Sequence, residues 1–150
     1  MEFTYLTTPD AGAAALLEEY FAEREAILQH EGGVYTRRPA DFSAGVLIVA
    51  HLDGEPAGLL GMRPLVEPGR STFELKHLYT RPAFRGRGVG RALMREVESA
   101  ARERGATDLV LDTSSLLTAA AGLYAAEGWA PTAPYNENSN ADRWYRKRLT

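Results

Sequence analysis

The chain has 150 residues, 45% of them hydrophobic and 25% charged, a net charge of -3 and no cysteine. Those values suit one soluble globular domain and exclude a disordered or fibrous chain, a disulfide framework, a thiolate nucleophile and a cysteine-ligated zinc site. The acidic balance argues against a general nucleic-acid binder, and the N-terminal "MEFTYLTTPD" has no basic segment leading into an apolar run, so a cytoplasmic protein without a membrane partner is expected.

In chain order, Pro9 and Asp10 open a helical stretch in which Ala13, Leu17, Tyr20, Phe21, Arg24 and Leu28 follow helical spacing, with Asp10 as N-cap and Gly32-Gly33 as the stop. Residues 34 to 44 read as loop. "GVLIVAHLDGEPAGLLGM" then gives an apolar strand, an Asp53-Gly54 hairpin turn and a second strand. "EPGR" turns the chain into the strand "STFELKHLYT", which runs up to "RPAFRGRGVGRALM". In the helix that follows, Val89, Leu93, Val97 and Ala100 form the buried stripe and Glu98 pairs with Arg102 on the wet face. Gly105 ends it. "DLVLD" is a short buried strand, "LLTAAAGLYAAE" a helix closed by Gly128, "WAPTAPY" an irregular strand with two prolines, and "DRWYRKRL" a last strand. The order is β-α-β-β-β-α-β-α-β-β, a mixed sheet with helices on its faces.

The glycine-rich stretch carries the chemistry. A P-loop needs G-x-x-x-x-G-K-[ST], and neither Lys-Ser nor Lys-Thr follows any of these glycines. A dinucleotide fingerprint needs a third glycine where Arg91 or Leu93 stands. What remains is Arg85-x-x-Gly88-x-Gly90 between a strand and a helix, where amides at the helix start converge on an anion and bulky side chains would keep it away. A tight turn solvated by arginines is the simpler alternative.

With these residues in view, the sequence resembles the GNAT superfamily of acetyl-CoA-dependent N-acetyltransferases. The family's pyrophosphate loop reads Q/R-x-x-G-x-G/A, matched by Arg85 to Gly90, and "AGLYAAEGWAP" is similar to its L-Y-x-x-x-G-F/W element. The resemblance covers residues 45 to 149 well and residues 1 to 44 only in order of elements. It implies one N-acetyltransferase domain over residues 1–150 with an α/β (α+β) fold. The sheet would be mixed, mostly antiparallel and twisted, of six to seven strands, with helices on both faces and a splay between strands four and five. It implies acetyl-CoA as co-substrate, held by Leu78, Tyr79, Thr80, Arg85, Gly86, Arg87, Gly88, Val89, Gly90, Arg91 and Tyr124. The chain departs from the family at Leu117, where many members carry an asparagine that contacts the cofactor arm.

Amine attack on a thioester makes three demands. Fixed N–H donors must meet the oxyanion, and the resemblance points to the backbone at Leu78. The departing thiolate needs a proton, for which the resemblance offers Tyr124, whose alternative role is core packing. The amine must be neutral, and Glu74, eleven residues before Arg85, is placed like the general-base glutamate of histone-type members. Its alternative is a charge pair with Lys76 on the same strand face. The three histidines, His30, His51 and His77, lack ligand spacing with carboxylates, so no metal is expected, and Ser114 and Ser115 lack a nucleophile elbow. The expected partner is a small-molecule or peptide amine, made cationic by preference because Glu18, Glu19, Glu23 and Glu25 line the first helix; nucleic acid is not expected, and the chain is a monomer or homodimer. A silent acyl-CoA sensor and a nucleic-acid module built on Arg81, Arg85, Arg87, Arg91 and Arg95 are the rival classes.

Overall fold

The structure is a computed structural model and describes residues 1–149. Strand β1 (Glu2–Leu6) leads into helix α1 (Ala11–His30), followed by β2 (Val46–Leu52), β3 (Glu55–Glu67) and β4 (Arg70–Thr80). Helix α2 (Val89–Glu103), β5 (Asp108–Thr113), α3 (Thr118–Ala126), β6 (Ala130–Pro131) and β7 (Arg143–Arg148) complete the order read from the sequence. Asp10 caps α1 by accepting from the N–H of Ala13 at 2.8 Å. Asp53 and Gly54 close the β2–β3 hairpin with φ of 52° and 81°, the paired positive values that the strand twist favours. "WAPTAPY" contributes only the two-residue β6, since Pro131 and Pro134 cannot donate to a ladder.

Among the described residues one sheet carries all seven strands, ordered β1-β2-β3-β4-β5-β7-β6. The apolar run of β2 is explained by cover on both faces. Val46, Ile48 and Ala50 join Leu93 and Val97 of α2 in one core, while Leu47 and Val49 join Ala13 and Leu16 of α1 in a second. Each fully buried leucine of these cores contributes about 1.5–3 kcal/mol.

Two features of β4 shape everything downstream. It pairs with β5 in parallel only from Thr72↔Asp108 to Leu75↔Leu111, whereas every other ladder is antiparallel. Past Leu75 it stays on β3 and leaves β5, the expected splay. The second feature lies where the strands part. Leu59 opposes Tyr79 and Gly61 opposes Lys76, so Leu60 alone faces both His77 and Leu78. That is a β-bulge, with His77 at a φ of 69° that few residues other than glycine adopt. Gly61 is obligatory beside it, because a Cβ there would sit 2.2 Å from the ring of Phe42.

Candidate active site

The bulge is fastened from one side. The Nε2 of His77 accepts from the N–H of Ala40 at 3.0 Å, and the ring packs against Tyr20, Phe21 and Phe42 with centroids 4.9, 5.1 and 5.9 Å away. Burial, with Lys76 next in effect, pushes the imidazole down to about 3, so His77 is neutral and its accepting Nε2 fixes the proton on Nδ1. That Nδ1 is buried without a partner.

Beside the bulge, the parted strands enclose a cavity of about 520 Å³ lined by His77 and Leu78 of the bulge, Tyr124 of α3 and Asp112 of β5, and by residues of α1, Tyr20 among them, and of the loops before β2 and before β7. Tyr124 is 5% exposed and packs on Trp129 and Tyr145, so the packing expected of it and a place on the cavity wall coexist. Burial pushes its phenol up to about 12, opposed by the nearby Arg24.

The loop expected to hold an anion joins the end of β4 to the start of α2. Gly86 and Gly88 have φ of 77° and 80°, and a Cβ on either would meet no protein atom within 4 Å. Glycine is therefore needed for the backbone's shape, and the space above both is open. The first backbone N–H to find a carbonyl is that of Ala92, bonded to Gly88 at 3.0 Å. Among the described residues, the amides of Gly86, Arg87, Gly88, Val89, Gly90 and Arg91 have no acceptor. A helix start with consecutive free amides and room above them fits a pyrophosphate.

The arginines of this loop are engaged elsewhere. Arg81 pairs with Glu19 at 2.8 Å, Arg85 with Glu23 at 2.5 Å and Arg87 with Asp53 at 3.4 Å. Arg91 and Arg95 share Glu127. Arg85 also donates to the carbonyl of Thr80 at 3.0 Å, tying the loop back to β4. Tyr79 turns away from the cavity, donating its hydroxyl to Glu19 at 3.3 Å.

The same pairs account for the acids of α1. Glu19 and Glu23 are taken as above, and Glu18 and Glu25 both hold Arg37, at 2.8 and 2.9 Å. None of the four lines the cavity. The expected pull on a cationic acceptor has no free carboxylate behind it on α1.

Glu74 is 2% exposed and is not part of the cavity wall. Arg63 meets its Oε1 at 3.0 Å through both Nε and Nη2, and the Tyr135 hydroxyl donates to Oε2 at 2.7 Å. Asn136 and Lys76 approach Oε2 at 3.4 Å. The Lys76 pair anticipated as its alternative is present, and a base must reach the amine it deprotonates.

Several cavity residues escaped the sequence: Arg38, Asp112 and the loop before β7. Asn136 and Asn138 donate to Asp112 at 2.7 and 3.2 Å, and Lys76 pairs with the same carboxylate at 2.8 Å. Asn140 donates to the carbonyl of Thr36 at 2.6 Å and accepts its N–H at 3.1 Å, clasping the two loops together over the cavity. "NENSN" shows an asparagine at every second position, each of the first two accepting the N–H two residues on. That alternation was visible and would have marked the loop as built.

Among known proteins, a sequence model described as acetyltransferase (GNAT) family matches residues 13–129. The Mus musculus protein named Probable N-acetyltransferase family 8 member 5 is 38% identical over 97 residues, covering 63% of this chain and 43% of that one. N-acetyltransferase 8B of Rattus norvegicus is 38% identical over 89 residues, 58% of this chain and 40% of that one. The chain thus spans about two fifths of the length of these relatives. A GNAT-family acetyltransferase of Staphylococcus aureus Mu50 superposes with a TM-score of 0.75 at 17% identity, covering 99% of this chain and 100% of that one. A GNAT-family acetyltransferase from Elizabethkingia anophelis, with acetyl-CoA bound, gives 0.65 at 21% identity, covering 97% of each. At these identities the two structures speak for the fold.

The state of His77 sets a pH dependence. Its folded pKa lies below its unfolded one, so its contribution to stability is complete above about 6.5 and is lost as pH falls toward about 3. The unfolding free energy from urea titrations should fall through that window by as much as ~1.4 kcal/mol per pH unit, and His77→Asn, which tolerates positive φ, should flatten the slope.

Glu74→Gln should lower stability by roughly 2–4 kcal/mol, less than for a fully buried pair because Arg63 is partly exposed. Urea denaturation of the variant measures it; a stability equal to wild type would return Glu74 to the list of bases.

Proposed function

The chain belongs to the acetyltransferase (GNAT) family, and on that premise we propose that it transfers the acetyl group of acetyl-CoA to a primary amine by direct attack in a ternary complex. The observation that carries this is the joining, by one bulged strand, of a helix start with six free amides to a cavity walled by Leu78 and Tyr124. Acetyl-CoA supplies a thioester, an acyl donor activated toward nitrogen nucleophiles. The amides of residues 86 to 91 would hold its pyrophosphate, Val89 and Gly90 opening the helix there, while Thr80 and Tyr79 fix the end of β4 beside them. Its arm would run along the splay to Leu78, where the irregular backbone is available to the carbonyl oxygen.

Tyr124 faces the leaving group in this arrangement. A phenol raised to about 12 stays protonated at neutral pH, as a donor must. The departing thiolate enters the same buried surroundings, which raise its proton affinity as they raise the phenol's, so Tyr124 donates to the sulfur and supplies its proton. Glu74 has its oxygens occupied and is a positioning residue that holds Arg63, Lys76 and Tyr135. Asp112, the buried carboxylate on the cavity wall, is held below the usual carboxylate range by Lys76, Asn136 and Asn138 against the effect of its burial. With Glu74 and Asp112 both occupied, water entering at the rim beside the exposed Glu137 would carry the amine's proton.

Two measurements test this. Gly88→Glu should abolish coenzyme A binding in calorimetry while Gly88→Asn, which accepts positive φ and adds no charge, retains much of it; equal affinities for the glutamate variant and wild type would remove the pyrophosphate from this loop.

Tyr124→Phe should keep coenzyme A affinity and lower kcat on the order of 10²-fold. With chemistry rate-limiting, an unchanged kcat would leave the tyrosine only its packing against Trp129 and Tyr145.

A further inference from the structure

Charge is distributed unevenly over this protein. Among the described residues, thirteen of the seventeen lysines and arginines have a carboxylate partner. The exceptions are Arg24, Arg38, Arg104 and Arg148, and the first two line the same cavity. Arg24, half-buried on α1, stacks over the ring of Tyr20 at 4.7 Å. Among the described residues its side chain makes one hydrogen bond, a long one of 3.5 Å to the carbonyl of Leu78 at the bulge. Arg38 comes from the loop before β2 and, among the described residues, hydrogen-bonds through its side chain to the hydroxyl of Ser139 alone, at 3.3 Å. The other cations on the wall, Arg63 and Lys76, are already matched to Glu74 and Asp112.

We propose that Arg24 and Arg38 bind the carboxylate of the acceptor, and that the acceptor is a free α-amino acid. A guanidinium fork is shaped for a carboxylate and poorly suited to an ammonium group. Distance within the acceptor then selects the class. Arg24 reaches the carbonyl of Leu78, so a carboxylate on Arg24 lies beside the bulge where the thioester carbonyl is placed above. The nucleophilic nitrogen must be near the same point, and in an α-amino acid the amine is two bonds from the carboxylate carbon. Polyamines and aminoglycosides carry no such group, and the N-terminal residue of a peptide has its carboxyl in an amide. Tyr20, Leu28 and Tyr35 on the same wall offer apolar surface to the amino acid's side chain. In the reaction the nitrogen gains the acetyl carbon, the thioester C–S bond breaks, and the nitrogen's proton leaves to solvent as the sulfur takes one up.

This rests on the acetyl-transfer reading, and the experiment separates the two. Thiol release from acetyl-CoA is followed with the L-amino acids, with their amides, with the corresponding decarboxylated amines, and with spermidine and short peptides. The expected result is a kcat/KM for at least one amino acid that exceeds those of its amide and its amine by 10²-fold or more. Arg24→Gln and Arg38→Gln should each raise the amino acid's KM at least tenfold and shrink its advantage over the amide. If no amino acid reacts, or if the amide or amine reacts as well as the acid, the proposal is overturned while turnover of any other amine keeps acetyl transfer intact. Failure of acetyl-CoA to bind in calorimetry overturns both. The acid-versus-amide contrast in the wild-type protein decides the matter even if a glutamine variant does not fold.

Discussion

A single histidine in a left-handed conformation holds the site open. Without the extra residue at His77, β4 would keep its regular register on β3, and nothing would turn it from β5 beyond Leu75. A non-glycine residue at φ 69° costs on the order of 1–3 kcal/mol, and the surroundings supply the compensation: an amide from Ala40, three aromatic rings, and a Gly61 that lets Phe42 lie flat. Pinning the imidazole in its neutral form belongs to the same arrangement, because a charged ring could not accept from Ala40. The strain sits beside the cavity and is balanced by packing around the imidazole, in which Tyr20 also lines that cavity.

The arginine-rich loop illustrates a division of labour. Its side chains are matched, one after another, to carboxylates on α1, on the β2–β3 turn and at the end of α3. Such surface pairs are each worth only about 0–1 kcal/mol, enough to set positions without locking them. The backbone is left with the free amides. In the proposed reading, anion recognition would fall to those six N–H groups, and the guanidinium groups would act mainly as guy-lines on the elements that carry them.

Most of the fold was legible. Helix stripes, the Asp53-Gly54 turn and the glycine stops gave the elements in order, because each is written in local periodicity or turn chemistry. Val89, Leu93, Val97 and Ala100 are all buried as the stripe required, and Glu98 meets Arg102 at 2.7 Å. Roles that depend on residues distant in sequence were not legible. Glu74 looked like a base by its spacing to Arg85, but what surrounds it comes from Arg63, Tyr135 and Asn136, up to 62 positions away. The acids of α1 looked like an attractive field until Arg37, Arg81 and Arg85 were seen to fold back onto them. Arg24 was visible in the helical pattern, yet its lack of a carboxylate partner among the described residues is a property of the folded molecule alone.

The short β4–β5 ladder has a consequence for how the protein tolerates change. The sheet is two leaves, β1 to β4 and β5 to β7, joined through four residue pairs between Thr72 and Leu75 on one side and Asp108 and Leu111 on the other. Those pairs act as a fulcrum, and the cavity is the far end of the lever. A side chain such as Phe73 or Leu109 does not line the cavity, but a change in its bulk would tilt one leaf against the other and alter the width of the cleft several residues away. The geometry of the cleft is therefore under the control of core volume at the joint, so that a conservative exchange there would reshape the cavity without replacing any residue that lines it.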